Sequence, residues 1–131
     1  MRTILAGLLA LTLGAFTGAS DATAASIVGA WSGGGTIKLA SGGTEVVRCR
    51  VSYSKDTAKT YGLSAVCATT AGTISQSGRV VRVRGNSYSG RLYSKEYSVS
   101  GKIFISVRGS RQTLTVNSPK GSGRLTLNRR R

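Results

Sequence analysis

The chain has 131 residues, a length that suits one small domain behind a short leader. It carries 19 Lys and Arg against 4 Asp and Glu, a formal net charge of +15, and no His. That balance leaves little material for paired-carboxylate, His-based or metal chemistry and turns attention to anionic partners.

Residues 1–25, MRTILAGLLALTLGAFTGASDATAA, read as a signal peptide. Arg2 gives a positive start, Ile4 to Phe16 form the apolar run, and Ala22-Thr23-Ala24 or Thr23-Ala24-Ala25 offers the small-residue cleavage site. The run is shorter than the ~20 residues that a membrane-spanning helix needs. An exported protein, periplasmic or secreted, is the expectation. Arg2 and Asp21 cancel, so residues 26–131 keep the full positive charge.

From there on, apolar residues recur at every second position, the mark of half-buried antiparallel strands. The first expected strand, Ala30–Leu39, sets the single Trp, Trp31, just ahead of Gly33-Gly34-Gly35. A Trp pointing inward there would plug the end of a small barrel. The glycines would let the strand bend and let neighbouring backbone approach.

The second and third strands, Thr44–Tyr53 and Tyr61–Thr69, each hold one cysteine. An even cysteine count in an exported chain reads as a disulfide, Cys49–Cys67. If the two face each other, Val51 opposes Ala65 and Tyr53 opposes Leu63, around the polar loop SKDTAKT. All six residues then share the buried face, and Arg48 and Arg50 point to water.

The fourth and fifth strands, Gly72–Arg84 and Tyr88–Ser94, contain RVVRVR, read with Val81 and Val83 inward and Arg82 and Arg84 outward. Ser-Gly-Arg-apolar tetrapeptides start at Ser77, Ser89 and Ser122. Their glycines are expected at turns and bends, and their arginines on solvated faces.

The last three strands, Tyr97–Arg108, Arg111–Asn117 and Gly123–Asn128, alternate cleanly. Ile103, Ile105, Val107, Leu114, Val116, Leu125 and Leu127 join Val51, Leu63, Val81 and Val83 as the expected core. Short turns throughout favour an up-and-down meander, and about eight such strands can close and so remove their exposed edges. The fold class is therefore all-β, a small antiparallel barrel with a packed interior.

Gly29-Ala30-Trp31 resembles the G-x-W that opens the first strand of calycin barrels, such as lipocalins, avidins and the Inh-type inhibitors of secreted bacterial metalloproteases. With one early disulfide, the layout is also similar to small exported bacterial proteins of uncharacterised function. The resemblance implies a lipocalin-like barrel with a basic residue of the last strand lying across the Trp. Arg124 is the first candidate for that residue and Arg129 the second. The inhibitor branch further implies that the mature N-terminal segment, here SIVGAW, threads a protease active site.

Catalysis has few candidates. The acids that remain, Glu45, Asp56 and Glu96, fall on separate turns or strand ends, and no P-loop or dinucleotide fingerprint occurs. The expectation is a non-enzyme without cofactor or metal. Outward charges at Arg48, Arg50, Arg82, Arg84, Lys102, Arg108 and Arg124 would be costly in lipid, so a membrane-spanning barrel is not expected. A polyanion-binding surface is the leading reading, assigned to Arg48, Arg50, Arg79, Arg82, Arg84 and the tail Arg129-Arg130-Arg131. Its partner would be lipopolysaccharide, acidic polysaccharide, nucleic acid or an acidic protein. The alternatives are an Inh-like protease inhibitor and a carrier of a small hydrophobic ligand.

Overall fold

A computed structural model describes residues 26–130; residues 1–25, which carry the expected signal peptide, and Arg131 lie outside the described residues. Eight strands follow one another: β1 Gly29–Leu39, β2 Thr44–Lys55, β3 Thr60–Thr69, β4 Gly72–Arg84, β5 Ser87–Ser94, β6 Val99–Arg108, β7 Arg111–Ser118 and β8 Gly121–Arg129. Each pairs antiparallel with the next, and β8 returns to β1, which closes the barrel. The sequence places β6 too early. Tyr97 and Ser98 belong to the turn, where Ser98 takes a left-handed φ of 50°.

The β2–β3 hairpin has the register that the cysteines imply. Cys49 opposes Cys67, Val51 opposes Ala65 and Tyr53 opposes Leu63. The disulfide joins the two strands directly, with a Cα–Cα distance of 4.1 Å. All six side chains are buried, whereas Arg48 and Arg50 are exposed.

Closing eight strands into so narrow a barrel forces backbones together. A Cβ on Gly33 would lie 2.1 Å from the Thr126 carbonyl oxygen, and one on Gly35 only 1.8 Å from that of Arg124. Only glycine fits where β1 meets β8, so the glycine run after Trp31 serves the closure as well as the bend.

The expected inward positions on β4 need correction. Val80 is fully buried, while Val81 and Val83 are 44% and 59% exposed. The segment RVVRVR has apolar residues in both alternations, so its own pattern cannot choose the face. Ile74, Gln76 and Gly78 continue the inward set to Val80, and the next inward position is Arg82, not a water-facing one.

Along its axis the interior is uneven. At the lower end, where β1 begins, Trp31, Tyr53, Tyr61, Tyr88 and Gln112 fill the barrel. The Tyr53 hydroxyl donates to Gln112 Oε1 at 2.8 Å, and the Tyr61 and Tyr88 rings meet edge to face at 5.6 Å. At the upper end several inward positions are small: Thr69, Ser94, Gly101, Ser118 and Gly123. The expectation of an interior packed throughout therefore fails there. An apolar cup of about 290 Å³ opens above Val47, Leu92 and Leu125.

Candidate anion-binding surface

The lower plug settles which basic residue meets the Trp. Trp31 is fully buried and directly opposes Arg129 across the β1–β8 seam. The Arg129 guanidinium lies 4.3 Å from the centre of the indole ring. It also donates to the carbonyl oxygens of Val28, at 2.9 Å, and of Ser26. Trp31 Nε1 donates to the Ile27 carbonyl at 2.9 Å, and Ile27 itself is fully buried. Arg124, the first candidate, does not fill this role. It shares the outward alternation of β8 with Thr126 and Asn128, whereas Leu125, Leu127 and Arg129 face inward.

The basic residues assigned to a polyanion surface do not form one patch. Arg48 and Arg50 are exposed on β2, on the wall across the barrel from β6. Arg82 turns inward at the lower end, with its guanidinium 5.8 Å from the Tyr88 ring centre. The Tyr88 hydroxyl beside it raises the Arg82 pKa above the ordinary value. Arg129 is occupied by Trp31 and the N-terminal segment, Arg130 is exposed beyond β8, and Arg131 lies outside the described residues.

Two groupings emerge instead. In the first, Arg79 on β4 directly opposes Arg91 on β5, and Arg91 directly opposes Lys102 on β6. All three are exposed on the outer wall. Strands lie about 4.8 Å apart, so this is a row of three cations running across the barrel wall. Two of the three Ser-Gly-Arg tetrapeptides supply its arginines. Gly78 and Gly90 sit inside β4 and β5 rather than at turns, and a Cβ on Gly90 would lie 1.9 Å from the Arg79 carbonyl oxygen. Their bare backbones bring the two arginine-bearing strands together.

In the second grouping, Arg84, Arg108, Arg111 and Arg124 surround a shallow concavity of about 840 Å³ on the outside of the lower barrel. Arg108 and Arg111 directly oppose each other at the β6–β7 turn. Hydroxyls of Ser87, Ser89, Ser106, Thr113 and Thr115 line the same concavity, beside the half-exposed Phe104 ring.

Acidic neighbours are few. Asp56 meets Arg79 at 3.4 Å, the one ion pair among the described residues, and both partners are well exposed. Such a pair is worth little and leaves the row cationic. Glu96 accepts from the Ser75 amide at 3.1 Å and stays apart from both groupings. Among the described residues, no three His, Cys, Asp or Glu side chains gather as metal ligands.

Arg91, Lys102, Arg108, Arg111 and Arg124 were not among the assigned binding residues, yet for Arg91, Arg108 and Arg111 the sequence held a signal. Arg91 repeats the Ser-Gly-Arg setting of Arg79. Arg108-Gly109-Ser110-Arg111 is a two-residue turn, which sets its flanking residues face to face.

No protein-family model matches the chain, and no curated protein matches it in sequence. Its likenesses are structural. A redesigned β-barrel, b11L5F_LGL, superposes with a TM-score of 0.66 at 14% identity, covering 80% of this chain and 92% of that one. Another redesigned barrel, mFAP1 bound to DFHBI, gives 0.66 at 13% identity, covering 79% and 94%. A fluorescence-activating β-barrel designed de novo gives 0.62 at 13%, covering 79% and 93%. At these identities the likeness is one of fold alone, a small closed antiparallel β-barrel of eight strands.

Proposed function

We infer that this chain is an exported, non-enzymatic module that binds an anionic polymer through its outer wall. The observation that carries the reading is the row Arg79–Arg91–Lys102, in which like charges stand directly opposite on adjacent strands. Such pairs destabilise a sheet in isolation. A polyanion laid across the strands relieves that repulsion and releases its own counterions. The concavity around Arg84, Arg108, Arg111 and Arg124 extends the basic surface towards the lower end. Charges at mid-strand on several walls also weigh against a lipid-facing exterior.

The Arg129–Trp31 contact fits the calycin resemblance of Gly29-Ala30-Trp31, which we keep as a proposal about ancestry. The protease-inhibitor alternative draws no support from the lower end. Its threading segment would be Ser26 to Trp31, and here Ile27 is buried and Arg129 grips the carbonyls on either side of it.

The test is fluorescence anisotropy with labelled heparin, a single-stranded oligonucleotide and lipopolysaccharide as competing polyanions. The variant Arg79→Gln/Arg91→Gln/Lys102→Gln is expected to bind its preferred polymer roughly tenfold more weakly or worse. Arg48→Gln/Arg50→Gln, on the far wall, is expected to lose much less. Undiminished binding of every polymer by the triple variant would overturn the reading.

A further inference from the structure

We propose that the polymer is single-stranded nucleic acid, with bases stacked on Tyr93 and Phe104 and phosphates held by Arg91 and Lys102. The inference rests on the anionic-polymer reading and narrows it to one chemical class.

The sequence around the row carries a pattern that charge alone does not explain. Gly90-Arg91-Leu92-Tyr93 on β5 and Gly101-Lys102-Ile103-Phe104 on β6 both read glycine, cation, aliphatic, aromatic. The strands are antiparallel and Arg91 opposes Lys102, so Gly90 opposes Ile103 and Leu92 opposes Gly101. The two tetrapeptides are therefore related by a local two-fold centred on the cation pair. Each aromatic residue lies two positions beyond its own cation, on opposite sides of the pair. Tyr93 opposes Ser100, four residues before Phe104. That places the two aromatic residues about 14 Å apart along the wall, with the cations midway.

Both rings are open to solvent. Tyr93 is 47% and Phe104 53% exposed, although each sits in a strand paired on both sides. Tyr93 opposes Ser77 and Ser100, and Phe104 opposes Ser89 and Thr115. Larger neighbours would pack against the rings, whereas these small hydroxyl side chains leave them uncovered. A lone exposed aromatic needs no explanation, but two in one repeated setting beside cations do. Aromatic rings along a basic track are what hold single strands, because every base has a face to stack. A duplex keeps its bases about 3.4 Å apart inside its own stack and cannot offer them to both rings. A sulfated polysaccharide has no bases to offer. An extended single strand can reach both rings and lay its phosphates on the cations between them.

The experiment compares three probes by fluorescence anisotropy: a thymidine oligonucleotide, an abasic deoxyribose-phosphate chain of equal length, and heparin. Wild type is expected to bind the thymidine strand roughly tenfold more tightly than the abasic chain, or better. Tyr93→Leu/Phe104→Leu should lose that preference and bind the abasic chain and heparin as wild type does. Tyr93→Trp/Phe104→Trp should keep the preference, since it keeps the stacking faces. Thermal melts accompany each variant, and should the double Leu variant misfold, the single Leu variants should each lose part of the preference. Equal binding of the thymidine strand and the abasic chain by wild type would overturn the proposal. So would a folded variant without rings that keeps the preference, or a Trp variant that loses it. Binding of heparin and of the abasic chain needs the cations and neither ring, so it judges the polymer reading separately.

Discussion

Truncating Arg129 to Ala removes a guanidinium from the face of Trp31 and two hydrogen bonds that hold residues 26–28 across the lower end. The expected loss is about 1–3 kcal/mol in denaturant unfolding, against less than about 0.5 kcal/mol for Arg124→Ala. Tyr53 offers a second check at this scale. Burial pushes its phenol well above the ordinary tyrosine value, against the opposing hydrogen bond to Gln112. The folded state therefore holds this proton more tightly than the unfolded chain. Its contribution is fully present below the unfolded pKa of about 10 and is lost as pH rises beyond it. Melting temperatures measured across alkaline pH should fall for wild type, and less steeply for Tyr53→Phe. The correct partner of Trp31 was within reach of the sequence. Leu125 and Leu127 inward place Arg129 inward and Arg124 outward by alternation alone, whereas the resemblance names only a basic residue of the last strand.

At the scale of strands, the β4–β5 pair joins a fold requirement to the proposed functional one. Gly78 and Gly90 allow the close backbone approach that sets Arg79 against Arg91. Arg91 opposes cations on both sides, so Arg91→Gln is expected to raise stability by a few tenths to about 1 kcal/mol while weakening polyanion binding. A thermal melt beside a binding curve checks both signs. Gly90→Ala should instead destabilise the barrel severely, because backbone rather than a flexible side chain stands in the way. Breaking the β2–β3 bridge by Cys49→Ala/Cys67→Ala should cost roughly 2–5 kcal/mol. That hairpin was fully legible, since the bridge and the period-two pattern give the same register. β4 was not. Adjacent apolar residues Val80 and Val81 serve either alternation, and only the positions before them, Ile74, Gln76 and Gly78, decide which faces in. The cup was hidden for a related reason. Pattern shows which residues point inward, but their summed volume at one level depends on which strands meet there.

For the described residues as a whole, closure makes one narrow barrel, and most of their basic residues must share its outside. Their grouping follows from strand order, which sequence pattern alone leaves open. A meander joining each strand to the next puts Arg79, Arg91 and Lys102 in line and sends Arg48 and Arg50 to the far wall. The measurement that decides whether this row acts as a polyanion site is the salt dependence of binding to a thymidine oligonucleotide. Wild type is compared with Arg79→Gln/Arg91→Gln/Lys102→Gln over a range of salt concentrations. Each lost phosphate contact should flatten the log–log slope by about 0.7, so the triple variant should show a slope shallower by about 2 and weaker binding at low salt. An unchanged slope and affinity in a variant that folds as well as wild type would contradict the assignment and reduce the row to a charged coat.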